Sequence, residues 1–197
     1  MARPKGTTRA KKPILRQEYE WLMFKAETDT SIQDTTKVKL KRAFTLLYLT
    51  GCRISEIVSL HVDDINYMLK NNEYSTNNLN KMKAPRLISF DTSFHQKKII
   101  RDHLSTCSGY LFARNNDNKP MTVSALKLQM NNFIQRILGA LYSTHSFRAG
   151  YITTAHQQGL SLEHIRQDIG HKDISTTARY ATVTSDEISK AKSKRRW

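Results

Sequence analysis

Residues 37–60, KVKLKRAFTLLYLTGCRISEIVSL, hold the clearest helical pattern in the chain and an arginine directly behind it. Apolar side chains recur three and four positions apart from Lys37 to Thr50, which predicts an α-helix with one buried face. They are Leu40, Ala43, Phe44, Leu47 and Tyr48. Gly51 is suited to cap this helix, and a shorter helix is predicted from Ile54 to Leu60. Arg53 therefore stands at the start of a helix, immediately after a glycine turn.

The same spacing predicts most of the other elements. Helices are expected at Gln17–Ala26, Phe94–Leu104, Val123–Leu138, Thr144–Gln158 and Leu162–Ile169, with a last one starting at Thr184. Between residues 64 and 90 the pattern changes, because asparagine pairs favour turns and the segments Ile65–Leu69 and Arg86–Phe90 are short and partly β-prone. These two segments are predicted to pair. The predicted fold class is α+β, mostly α, with a small antiparallel β-sheet after the second or third helix.

The composition narrows the class of protein. The chain has 197 residues and a formal net charge of +15, from 32 Lys and Arg against 17 Asp and Glu. This length suits one domain, or two small ones, with a real core, and the basic excess favours a polyanionic partner. No apolar run approaches the roughly 18 residues of a membrane span, and the N-terminus lacks the apolar segment of a signal peptide. Cys52 and Cys107 suggest neither a disulfide framework nor a metal site. We expect a reduced cytoplasmic protein without a membrane partner.

Most of the excess charge lies at the two ends. Residues 1–13 and 189–197 are rich in Lys and Arg and contain no acid. Such ends can simply keep a protein soluble, or they can neutralise phosphates and release counterions. We expect a flexible basic arm at residues 1–13, a body at 14–183, and a helix or basic tail at 184–197 that is long enough to dock on a neighbouring protomer. The arm residues predicted to bind phosphates are Arg3, Lys5, Arg9, Lys11 and Lys12.

Reactive side chains concentrate at four places, and each has an ordinary explanation when it is taken alone. Arg53 and Glu56, three residues apart, suit a surface salt bridge. His145 and Arg148 share a helical face, as a capping histidine and an exposed arginine would. A tyrosine such as Tyr180 is most often half-buried packing with its hydroxyl hydrogen-bonded.

The fourth place is the turn Asn80–Pro85, which on its own suits a solvated basic loop. Together, however, the four places give the order Arg, Lys, His-x-x-Arg, His and Tyr, which resembles the tyrosine recombinase (phage integrase) family. The resemblance covers residues 14–183, and the nine-residue step from His171 to Tyr180 is part of it. The local sequences that are similar to the boxes of that family are Thr50–Leu60, Asn80–Phe90, Thr144–Gly150 and Gly170–Val183.

The resemblance implies a role for each residue at the reacting phosphodiester. Tyr180 would be the nucleophile, because a phenol forms a covalent ester and later leaves more easily than an aliphatic alcohol. Arg53 and Arg148 would bind the two non-bridging oxygens, since guanidinium forks match phosphate geometry. Glu56 would support Arg53 by orienting its guanidinium.

The remaining roles concern protons and DNA contacts. His145 would assist proton transfer with the tyrosine, and His171 would donate a hydrogen bond to the phosphoryl group. Lys81 would be the general acid toward the 5′-oxygen, with Lys83 as its rival because turn lengths vary. Lys83 and Arg86 are also expected to bind DNA, together with the basic arm.

The reaction implied by the resemblance is site-specific recombination of double-stranded DNA through a 3′-phosphotyrosyl intermediate, by integration, excision or inversion. It needs no cofactor and no metal, and the expected assembly is a tetramer on two DNA sites, with an accessory DNA-bending protein as a further expected partner. The alternatives are a catalytically silent DNA-binding regulator derived from a recombinase and a type IB topoisomerase. Because few residues precede position 14, the chain resembles short members such as fimbrial-switch invertases, or a catalytic domain separated from its partner.

Overall fold

The computed structural model describes residues 11–76, 86–89, 94–104, 108–114 and 119–180. Within these ranges helices predominate, and two short strands form a small sheet. In chain order the elements are α1 (Arg16–Thr28), α2 (Asp34–Thr50), α3 (Ile54–Ile57), α4 (Val62–Asn71), β1 (Glu73–Ser75), β2 (Leu87–Ser89), α5 (Phe94–Leu104), α6 (Val123–Leu138), α7 (Thr144–Gln157), α8 (Leu162–Ile169) and α9 (Ile174–Ala178). The predicted helix at Thr184 lies outside the described residues.

Helix α2 is the centre of the main core and packs against α1, α5 and α7. The apolar face predicted from its sequence is confirmed, and Phe44 and Leu47 are completely buried. The ring centroid of Phe44 lies 5.5 Å from that of Phe147 in α7 and 5.9 Å from that of Phe133 in α6. Full burial of one such side chain contributes about 1.5–3 kcal/mol. These aromatic contacts fix the first turns of α7, where the reactive residues lie.

Gly51 ends α2 in the left-handed conformation, with φ of +59°. A Cβ atom at this position would lie 2.8 Å from the ring of Tyr151, so both the backbone conformation and the close packing require glycine. The chain then turns sharply into α3. This turn brings Arg53 toward α7.

The prediction of a small antiparallel sheet is confirmed, but the predicted first strand is wrong. Ile65–Leu69 lies within α4, and the strand that pairs with β2 is Glu73–Ser75. The helix is favoured because Ile65 and Met68, three residues apart, are both buried on one face. Asn72, with φ of +61°, ends α4 rather than forming a hairpin turn. The sheet therefore follows the fourth helix, not the second or third.

The segment before α1 is held against α7. The backbone N–H of Lys12 donates to the carbonyl of Leu141 (3.1 Å), and that of Ile14 donates to Ser146 (2.9 Å). A Cβ atom on Gly150 would lie 1.9 Å from the Ile14 carbonyl oxygen, so only glycine permits this contact. We call residues 11–15 the N-terminal strap. The last residues of the predicted flexible arm are thus docked on the body.

No helix in the described part of the chain is long and apolar enough to cross a membrane. Over the same residues, histidine, cysteine and acidic side chains form no group of three that could hold a metal ion.

Candidate active site

Arg148 lies in the second turn of α7 and points into the body of the protein, with only 7% of its surface exposed. Its Nη1 donates to the carbonyl of Gly51 (2.9 Å), and its Nη2 donates to the carbonyl of Ile169. Its Nε donates to Nε2 of His171 (3.3 Å). Burial, followed by the charges of Arg53 and Arg86, lowers the pKa of Arg148 to about 9. The guanidinium is therefore still charged at neutral pH and keeps N–H groups available for an anion.

Arg53 is the N-cap residue of α3 and lies beside Arg148. Its Nη1 contacts Oε1 of Glu56 (3.1 Å), and its Nη2 donates to the carbonyl of Gly170 (3.3 Å). About a third of the side chain is exposed. Glu56 thus orients the guanidinium of Arg53, in the geometry that the spacing suggested.

The two arginines line a cavity of about 150 Å³, together with Cys52, Ile54, Ser55, Val123, Lys127, Thr144 and His145. A water molecule occupies about 30 Å³ in the liquid, so the cavity has room for a phosphoryl group. Positive charge from Arg53, Arg148 and Lys127 converges on this space, and it favours an anion there.

His145 is the second residue of α7 and is exposed at the mouth of this cavity. Partial desolvation lowers its pKa, and the nearby charges of Lys127, Arg148 and Arg53 lower it further. The imidazole is therefore neutral at neutral pH. A neutral imidazole at this position can accept a proton.

His171 lies just after α8 and is bound on both ring nitrogens. Nδ1 is 3.0 Å from Oγ1 of the buried Thr177, and Nε2 accepts from Arg148. Burial lowers the pKa of His171 to about 4, with the charges of Arg148, Arg53 and Arg86 adding to the effect. The ring is neutral at neutral pH, and the bond from Arg148 assigns the proton to Nδ1. To donate from Nε2 to a phosphoryl group, His171 must give up the bond from Arg148 and carry a proton on Nε2.

Tyr180 follows α9 and is tied to α7. Its carbonyl accepts from Oγ1 of Thr153 (3.1 Å), and its own N–H donates to Thr177 (3.0 Å). The side chain is half-buried and packs on the small cluster of Ile152, Ala155, Ile165 and Ile169. The Tyr180 side chain therefore packs against α7, which carries Arg148, and α8, which precedes His171.

Arg86 corrects one expectation. Its side chain is only 3% exposed and is paired with Glu56 (3.2 Å), so it lies beneath the cavity and not on a DNA-facing surface. The sequence could not show this, because an arginine beside a basic turn is typical of an exposed position. Asp168, which contacts Arg86 and accepts from the Tyr151 hydroxyl (2.6 Å), was also not identified from the sequence.

Several predicted residues lie outside the described ranges, namely Arg3, Lys5, Arg9, Lys81 and Lys83. The general acid and most of the basic arm therefore remain predictions. Lys11 and Lys12 belong to the strap, where Nζ of Lys11 donates to the carbonyl of Ala140 (2.9 Å). Lys127 is a cation of the cavity that sequence reasoning missed, because it belongs to no motif and lies on the exposed face of a long helix.

Comparison with known proteins places this geometry in a family. The model described as "Phage integrase family" matches residues 13–187. Tyrosine recombinase XerC of Staphylococcus aureus is 26% identical over 89% of this chain, and the alignment covers 58% of XerC. The chain thus spans less than two thirds of this relative.

Solved structures show the same fold. XerA recombinase superposes with a TM-score of 0.69 at 16% identity, over 100% of this chain and 68% of XerA. The Tn1549 transposon integrase in complex with a circular intermediate DNA gives 0.70 at 17% identity, over 98% and 68% of the two chains. XerH recombinase bound to its difH substrate gives 0.66 at 18% identity, over 94% and 54%. Because the family model matches the whole of the body, residues 14–183, this chain belongs to the phage integrase family of tyrosine recombinases.

Proposed function

We propose that this chain is a site-specific recombinase that cleaves and rejoins double-stranded DNA through Tyr180. The observation that carries the proposal is the cavity between Arg53 and Arg148, with His145 at its mouth and with His171 and Tyr180 on the adjoining elements. Family membership supports it. So do the structures of XerH on its difH substrate and of the Tn1549 integrase on DNA, both of which share this fold.

The cleavage step is a transfer of the phosphoryl group from DNA to the enzyme. The phenolic oxygen of Tyr180 attacks phosphorus and forms a 3′-phosphotyrosyl bond, while the bond from phosphorus to the 5′-oxygen breaks. The tyrosine proton passes to neutral His145, and the departing 5′-oxygen takes a proton from Lys81 or Lys83 to become a hydroxyl.

The two arginines stabilise the transition state. Negative charge develops on the non-bridging oxygens as the attacking oxygen approaches, and guanidinium groups already held in place meet it at little reorganisation cost. Arg148 is held by two backbone carbonyls, and Arg53 is held by Glu56. These fixed cations supply the charge stabilisation that many phosphoryl-transfer sites obtain from a metal ion.

His171 changes partner during this step. Bound phosphate offsets the charges of Arg148 and Arg53, which are among the causes of its low pKa. A protonated ring can then donate from Nε2 to a phosphoryl oxygen, while Nδ1 keeps its contact with Thr177.

Rejoining reverses the step with the 5′-hydroxyl of another cleaved strand. The phosphotyrosyl ester retains the bond energy of the phosphodiester, so no nucleotide cofactor is required. The proposed assembly is a tetramer on two DNA sites, with the basic arm on the DNA backbone and an accessory DNA-bending protein where the site requires it. The proposed location is the cytoplasm, in association with DNA.

The test uses a library of nicked duplexes with a randomised central sequence. After cleavage, the short strand segment between the cleavage site and the nick diffuses away with its free 5′-hydroxyl. Religation is then blocked, and the protein stays attached to its DNA. We expect adducts that survive denaturation for the wild-type protein and none for Tyr180→Phe, which keeps the ring but lacks the nucleophile. Sequence-specific footprints without any adduct would instead support a catalytically silent DNA-binding regulator.

A further inference from the structure

Arg86 is the most deeply enclosed guanidinium near the cavity. It stands immediately before strand β2, and its side chain is 3% exposed. Nη2 donates to the carbonyl of Thr50 (3.2 Å), and Nε donates to the carbonyl of Asp168. Nη1 contacts Oε2 of Glu56 (3.2 Å) and Sγ of Cys52 (3.7 Å). One side chain therefore ties together the end of α2, the start of α3 and the end of α8.

Glu56 is shared between two arginines. Its Oε1 accepts from Nη1 of Arg53 (3.1 Å), and its Oε2 accepts from the backbone N–H of Arg53 (2.6 Å) and from Arg86. The carboxylate is as enclosed as Arg86, whereas the Arg53 side chain reaches the cavity. Oε1 of Glu56 thus binds the Arg53 guanidinium, and Oε2 binds the Arg53 backbone and Arg86.

A buried carboxylate with a single arginine partner tends to bind it through both oxygens. Arg86 and the backbone N–H of Arg53 together occupy the second oxygen, so only one guanidinium N–H of Arg53 is committed to Glu56. Arg86 also balances the carboxylate charge, which would otherwise cancel that of Arg53. Both effects leave Arg53 able to bind an incoming phosphate.

We propose that Arg86 is a positioning residue for this site, which acts through Glu56 to hold Arg53 in a phosphate-binding pose. The inference rests on the proposed function, since the phosphate is that of the DNA. Arg86 itself does not touch the substrate. Its effect on phosphate binding can nevertheless be measured without DNA.

The first experiment compares Arg86→Gln with a matched control, Arg42→Gln. Arg42 is also buried (8% exposed) and binds carbonyls, those of Leu111 and His103, but it lies away from Glu56. We expect Arg86→Gln to weaken binding of inorganic phosphate, measured through the imidazole NMR signals of His145 and His171. We also expect it to slow single-turnover cleavage of the nicked duplex by about 100-fold, since a small misplacement costs that much. Arg42→Gln should leave both close to wild type at a temperature where each variant is folded. Equal losses in the two variants would show a general loss of structure and overturn the proposal.

The second experiment tests the route through Glu56. In a Glu56→Gln background, a further Arg86→Gln change should add little to the loss of cleavage or phosphate affinity, because the group it restrains is gone. A second loss as large as that in the wild-type background would mean that Arg86 acts independently of Glu56, and it would overturn the proposal.

Arg86→Lys covers the case in which the glutamine variant does not fold. Lysine keeps a positive charge beside Glu56, so we expect phosphate affinity closer to wild type than that of Glu56→Gln. A loss as large as that of Glu56→Gln would contradict the proposed role. If the wild-type protein forms no DNA adduct, the proposed function fails, but phosphate binding by these variants still decides the role of Arg86.

Discussion

Two hydrophobic clusters in the described part of the chain differ in size and in the residues that they support. The main core extends from Ile14 to Phe147 and supports the loop of Arg53 and the start of α7. The second cluster has only four buried members, Ile152, Ala155, Ile165 and Ile169, and it supports His171 and Tyr180. Among the described residues, Arg53 and Arg148 are thus held by a large core, whereas Tyr180 packs on a small cluster. Helix α7 belongs to both clusters and is the link between them.

The strongest test of this comparison is Phe44→Ala in the main core. The side chain is fully buried between Phe133 and Phe147, so its truncation leaves a cavity. We expect a loss of about 3–5 kcal/mol in the free energy of unfolding. Chemical denaturation followed by circular dichroism measures it. A loss of free energy of unfolding smaller than that of a substitution in the second cluster would contradict the stronger support that we ascribe to the main core.

His171 should make a smaller contribution, visible as a change in the free energy of unfolding with pH. Its pKa is lowered to about 4, whereas that of an unfolded histidine is about 6.5. Between these values the unfolded chain binds the proton more readily, so stability rises with pH from 4 to 6.5 and is lost as the pH falls through this window. After allowance for solvent screening, the contribution is about 1–2 kcal/mol.

The variant His171→Gln should therefore show a flatter stability profile between pH 4 and 6.5. Denaturation of wild type and variant at matched pH values measures the difference. His164→Gln, at an exposed position on α8, is the control. Parallel profiles for wild type and His171→Gln would show that burial and the neighbouring arginines do not lower the pKa of this ring.

The smallest change is Ile169→Val, which removes one methylene group from the second cluster. We expect a loss of about 0.5–1.5 kcal/mol. Native-state hydrogen exchange should show it as faster exchange in α8 and α9, with the slowest amides of α2 unchanged at low denaturant. Equal acceleration in α2 would mean that the two clusters open as one unit.

The long helices were predictable because each buries one face against the core. In α2 and α6 the apolar residues recur at helical spacing because they pack against the core, and the same packing stabilises the helix. Around residue 65 the apolar pattern does not decide between helix and strand, and the predicted strand is wrong. Ile65–Leu69 is short enough to suit a strand or a helix, and the choice depends on caps at His61 and Asn72 that its apolar pattern does not include.

The residues of the site likewise fall into those that the sequence identified and those that it did not. The family boxes identified Arg53, His145, Arg148 and His171, which the structure brings together. Arg86 was misplaced because burial of a charge depends on partners distant in sequence, here Glu56 and Asp168. Nothing local distinguishes such an arginine from an exposed one.

The strap on α7 has a mechanical consequence. Its backbone bonds to Leu141 and Ser146 lie on either side of the start of α7, and Gly150 allows the chain to sit directly on the helix. A pull on the chain at Lys11 therefore acts on the start of α7 through these bonds. The helix that carries Arg148 is thus also the helix that bears load from the strap.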